Sequence, residues 1–211
     1  ATMFPMLYYP ERLTTDRDAY GIYVQSPFPK ENRRILIGSD VSSRYTRRNR
    51  AEYRKIAGYI ARCVWQRQGN YMVFFPSYRL MEDVLQVYEE EFSVDWVRCV
   101  CQTPDMTEQE REGFLEEFQE REGTLVGFCV LGGIFSEGVD LTGESLIGAV
   151  IVGTGLPQIG SQREILKEYY DKKNHCGFDY AYRYPGMNKV LQAAGRVIRT
   201  KEDKGVILLL D

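Results

Sequence analysis

A chain of 211 residues with 44% hydrophobic and 27% charged side chains is of ordinary globular composition, long enough for one large domain or two small ones. A formal net charge of −3 excludes a globally basic nucleic-acid binder, so any such surface has to be local. No apolar run approaches the roughly 18 residues of a membrane span, no signal-peptide pattern opens the chain, and five cysteines without a C-x-x-C pair point to buried thiols in a reducing cytosol, hence a cytoplasmic protein.

Residues 1–33, with "YYPERL" and "QSPFPKEN", read as an irregular lead-in, and a single domain is expected from 34 to 211. "RRILIGSD" (33–40) reads as a strand. The stretch "SSRYTRRNRAEYRK" (42–55) then sets Arg44, Arg47, Arg48, Arg50, Arg54 and Lys55 against one acid, Glu52. It is either a contact patch for a nucleic-acid backbone or a solvated helix start. Apolar residues at 53, 56, 57, 60 and 64 follow helical spacing from Asn49 until Gly69 breaks it.

"NYMVFFPSY" (70–78) is a short continuous apolar run, the pattern of a strand buried on both faces. Pro76 ends it, and Ser77 is placed to cap the helix expected over 78–92. Tyr78 and Arg79 then stand at the strand's carboxyl end, where an aromatic ring can stack on a base and a guanidinium can hold a phosphate. Packing of Tyr78 on the sheet edge is the alternative. A strand over 95–102 puts Cys99 and Cys101 on one face, and Thr107 with Glu110 forms a capping-box start for a helix running to about Arg121. Further strands are expected at 124–132, 146–155 and 205–211, with helices at 160–173 and 186–199. The one histidine, His175, lies in a polar turn and reads as a surface residue.

Strands alternating with helices make an α/β domain whose mostly parallel sheet is covered on both faces. Ligands of such sheets bind at the carboxyl ends of the strands. The loop "GGIFSEGVDLTGESL" (132–146) gathers Ser136, Glu137, Gly138 and Asp140 near one such end. "VIVGTGLPQIG" begins like a dinucleotide fingerprint, but Gln158 stands where the third glycine belongs. No G-x-x-x-x-G-K-S/T, G-x-S-x-G or H-E-x-x-H sequence occurs, so no complete catalytic apparatus is identifiable.

Over 186–199 a helical projection places Asn188, Arg196 and Arg199 within roughly 40° of Gln192. Met187, Val190, Leu191, Ala193, Ala194, Val197 and Ile198 fill the remaining arc. One helix with a wide buried face and a narrow polar stripe is therefore expected. The two arginines are either surface residues or planar donors for phosphate oxygens.

Taken in order, "NYMVFFPSY", "GGIFSEGVDLTGESLIGAVIVGTGLP" and "YPGMNKVLQAAGRVIRTKEDKGVILLLD" resemble motifs IV, V and VI of the second RecA-like motor domain of XPD/DinG-type superfamily 2 DNA helicases. The opening Ala1-Thr2 resembles the tail of the motif that closes the first motor domain. The resemblance implies a RecA-like three-layer α/β sandwich, excised from a longer protein, since both ends look cut. It implies Arg196 and Arg199 as arginine fingers reaching ATP phosphates, with Gln192 on the same helix. Glu137, Gly138 and Asp140 would couple nucleotide to DNA, while Ser77, Tyr78 and Arg79 would touch single-stranded DNA, joined by Arg44 of the basic patch. ATP and Mg²⁺ would be held mainly by the first RecA-like domain of the same protein, and any iron–sulfur cluster would lie outside this chain. Translocation would run 5′ to 3′. A stand-alone nucleic-acid-binding module without ATP hydrolysis, or a nucleotide-binding metabolic enzyme, are the competing readings.

Overall fold

In the computed structural model, residues 27–119, 122–135, 141 and 145–211 are described. Six strands form one sheet: β1 (Arg33–Gly38), β2 (Asn70–Phe75), β3 (Val97–Cys101), β4 (Thr124–Val130), β5 (Gly148–Val152) and β6 (Gly205–Leu210). Every pairing is parallel, in the order β1-β6-β5-β2-β4-β3, so the expectation of a mostly parallel sheet is met in full.

The helices start where short-range chemistry starts them. Asn49 caps α1 (Arg50–Val64) by accepting the Glu52 N–H, and Ser77 caps α2 (Tyr78–Glu91) by accepting the Leu80 N–H. Thr107 and Glu110 complete the capping box of α3 (Glu108–Glu117). Two further helices, α4 (Ser161–Asn174) and α5 (Tyr184–Ala194), are separated by a π-helical turn at Asp179–Arg183 that residue spacing does not reveal. His175 is exposed and ends α4 in a left-handed conformation.

Alternation along β2 sorts the core into two layers. Tyr71, Val73 and Phe75 pack with Ile56 and Ile60 of α1 and with Leu80, Val84 and Tyr88 of α2. Met72 and Phe74 face the other way, onto Phe114 of α3 and Val190 and Ala193 of α5. Phe135, Leu141 and Leu146, on the connection from β4 to β5, join this second layer, so that connection and α5 share one face of the sheet. Every residue of β2, at the middle of the sheet, is buried, as a strand roofed on both faces requires.

One expectation fails. The helix placed over 186–199 ends at Ala194. Beyond it the hydrogen bonds tighten to three-residue spacing, Arg196 N–H to Ala193 O and Val197 N–H to Ala194 O. Glycine at 195 is a poor helix former, and the buried Asp203 carboxylate takes the N–H groups of Arg199 and Thr200, which a continuing helix would have used. Met187 and Leu191, assigned to the buried arc, are 43% and 59% exposed. A helix lying on a sheet covers only a stripe of its circumference, and these two fall outside it.

Candidate functional site

At the carboxyl edge of the sheet three loops meet the end of β6. Ser43, after β1, donates both its N–H (2.9 Å) and its hydroxyl (3.0 Å) to Asp211 Oδ1. Gly153, after β5, has φ +72°, and a Cβ there would stand 2.4 Å from Ser43 Oγ and 3.7 Å from Pro76. The turn after β2 is thus drawn against the same point. Glycine is required at 153 both by its left-handed backbone and by this close approach. No dinucleotide turn forms here: residues 153–160 separate β5 from α4, whereas that motif passes from strand to helix through one tight glycine turn.

Of the residues predicted at this edge, Ser77 uses its oxygen as the α2 cap. Tyr78 is half-buried against the core, and its hydroxyl accepts a 2.9 Å hydrogen bond from Gln102 Nε2. Burial raises its pKa, and the Gln102 bond opposes that rise. Arg79 and Arg44 are exposed. Gln102, which residue types alone did not single out, is buried and also accepts the Val130 N–H, tying the turn after β2 to the end of β4.

The basic stretch is smaller than its composition suggests. Arg50 pairs with Glu90 and Glu91, Arg54 pairs with Glu91, and Arg47 pairs with the buried Glu52. The acids that neutralise Arg50 and Arg54 lie some forty residues away, beyond the reach of a local charge count. Lys55 donates to the Asp40 carbonyl. Arg44 and Arg48 are the two arginines of this stretch with no ion pair to a described acid.

The second predicted group lies at the other end of the strands. Helix α5 begins beside Thr154, where a Cβ on Gly186 would stand 2.9 Å from the Thr154 carbonyl. The turn that follows it sets Val197 against Gly205, the first residue of β6. Gln192 is exposed on the helix, while Arg196 and Arg199, both half-buried, stand on the turn after it. A six-residue strand is roughly 20 Å long, and that length separates these arginines from the Ser43–Ser77 edge. Glu137, Gly138 and Asp140 lie outside the described residues. Among the described residues no group of three or more His, Cys, Asp or Glu is placed to hold a metal ion, and no helix is long and apolar enough to cross a membrane.

Residues 60–211 match the helicase C-terminal domain family. The chain is 28% identical over 201 residues to a probable ATP-dependent helicase of Methanocaldococcus jannaschii, covering 90% of this chain and 30% of that protein. It is 29% identical over 186 residues to the ATP-dependent DNA helicase XPD of Sulfolobus acidocaldarius, covering 83% and 30% respectively. A solved XPD helicase structure superposes with a TM-score of 0.68 at 26% identity, covering 85% of this chain and 31% of that one. This chain therefore spans about 30% of the length of the curated relatives it matches. The all-parallel sheet, the match to well over half of the chain and the structural likeness agree: the chain has a RecA-like fold and belongs to the helicase C-terminal domain family.

Proposed function

We propose that this domain is the second motor domain of an ATP-dependent DNA helicase. It would contribute Arg196 and Arg199 to ATP held by a first RecA-like domain of the same protein, and the Ser43–Arg79 edge to a single-stranded DNA track. The observation that supports this reading is that Arg196 and Arg199 follow a helix sharing a sheet face with the β4–β5 connection, on a turn where the buried Asp203 carboxylate accepts the Arg199 and Thr200 N–H groups. Guanidinium groups suit phosphate oxygens, and charge neutralisation of that kind lowers the barrier to phosphoryl transfer. Mg²⁺ would accompany ATP on the first domain. Glu137, Gly138 and Asp140, between Phe135 and Leu141 of that connection, would relay nucleotide state to the DNA-bound edge, with Gln192 beside the arginines. Movement would be 5′ to 3′, in the cytoplasm.

Separation of the arginines from the Ser43–Arg79 edge by about one strand length supports two distinct ligands on one domain. Closing and opening of two such domains around ATP would then alter grip on the strand. The test is single-strand-stimulated ATP hydrolysis by the full-length protein. Arg196→Ala and Arg199→Ala should each lower turnover by about 10³-fold while DNA affinity is kept. The lysine variants should recover little, because a lysine keeps the charge and loses the planar fork. Unchanged hydrolysis in both alanine variants would make these surface arginines and overturn the assignment.

A further inference from the structure

The segment Ser42–Arg48 contributes only Ser42 to the buried interior at its start, yet it is held in place from several directions. The Ser42 N–H donates to Glu52 Oε1 at 2.5 Å, and Glu52, 5% exposed, also accepts from Arg47 Nη2. Ser43 is anchored to Asp211 through two hydrogen bonds, and Arg48 Nε donates to the Ser43 carbonyl at 3.3 Å. A 3₁₀ turn at Tyr45–Arg47 closes the loop. A carboxylate is costly to bury unless its partners are fixed, so Glu52 and its donors define one loop conformation.

That conformation points its side chains outward. Arg44 and Thr46 are exposed, and Tyr45 is 74% exposed with the Arg48 guanidinium 5.6 Å from its ring centroid. The loop is pressed against Gly153 through Ser43, and Gly153 in turn stands beside Pro76 of the turn after β2. Carboxylates pair with Arg47, Arg50 and Arg54, whereas Arg44 and Arg48 have none among the described residues.

We infer that Tyr45, Arg44 and Arg48 form a grip on single-stranded nucleic acid, one base stacking on the Tyr45 ring and the adjacent phosphates lying on the two guanidinium groups. The inference rests on the nucleic-acid reading proposed above and moves the stacking role from Tyr78 to Tyr45. Tyr78 is committed to the core and to Gln102, while Tyr45 offers a ring to solvent on a fixed loop. Stacking on an aromatic face tolerates any base, and an arginine beside the ring adds cation–π attraction and a phosphate donor. Glu52 and Asp211 act as positioning residues for this loop.

The experiment uses the full-length protein and a fluorescein-labelled oligothymidylate, with a second oligonucleotide carrying 2-aminopurine. Tyr45→Ala should weaken binding about ten- to a hundredfold and abolish the quenching that stacking causes, with the thermal midpoint unchanged. Tyr45→Phe should restore both. Arg44→Ala should weaken binding and reduce the slope of log affinity against log salt by about 0.7, the value for one single-strand phosphate contact, while Tyr45→Ala leaves that slope alone. Tyr45→Ala binding and quenching like wild type, while Arg79→Ala is weakened, would overturn the grip and leave the helicase reading intact. A wild-type protein that does not bind the oligonucleotide would overturn both.

Discussion

The Oδ2 oxygen of Asp203 accepts the backbone N–H of Arg199 at 2.8 Å and that of Thr200 at 2.6 Å. A single buried acceptor thus shapes the turn on which Arg199 stands, and Asn32 Nδ2 adds a 2.7 Å bond to the Lys201 carbonyl beyond it. Asp203→Ala should cost about 1–3 kcal/mol in urea denaturation, since it leaves two donors without their acceptor. It should also lower ATP turnover in the full-length protein. Because both N–H groups go to one oxygen, Asp203→Asn keeps an acceptor in place and should retain most of the stability. A stability loss in Asp203→Ala with turnover untouched would show that the turn does not position Arg199 for catalysis.

Gly153→Ala combines two penalties, a left-handed backbone (φ +72°) and a Cβ 2.4 Å from Ser43 Oγ. Backbone strain of this kind costs about 1–3 kcal/mol. Relief of the clash displaces Ser43 from Asp211, so oligonucleotide affinity should fall further than stability does. Chemical denaturation alongside fluorescence anisotropy would separate the two effects.

Burial pushes the thiols of Cys63 and Cys101 up to about 11 and that of Cys99 up to about 12, with Cys129 also raised well above its ordinary value. A thiol of pKa 11 is roughly one part in a thousand thiolate at pH 8, so these four should react with an aromatic disulfide reagent far more slowly in the native protein than in guanidinium. The folded state keeps its protons to higher pH than the unfolded state, where these groups ionise near 8.5–9. Their contribution is therefore fully present below that range and is lost as pH rises toward 11–12. Urea midpoints should fall between pH 9 and 11. A flat profile there would show that the thiols reach solvent before unfolding.

Much of the fold is legible in short stretches of residues. "NYMVFFPSY" announces a buried central strand, and Asn49, Ser77 and the Thr107–Glu110 pair each mark a helix start to the residue, because an N-cap bond closes over three positions. The π-turn at Asp179–Arg183 carries no such mark. Its Tyr180 stacks on Tyr170 of α4, and that contact exists only once the chain has folded back.

The site divides the same way. Residue order alone supplied the motif that places Gln192, Arg196 and Arg199 before a final strand, since recognition of a motif needs identity and spacing and nothing more. It also gave the α/β class, through the alternation of buried strands with amphipathic helices. Tertiary structure decided that the helix stops at Ala194, because Asp203 competes for the backbone groups beyond it. It decided too that Arg50 and Arg54 are spent on Glu90 and Glu91, and that Tyr45 rather than Tyr78 faces solvent. Burial and ion pairing join residues dozens of positions apart, and only the folded chain determines which of them meet.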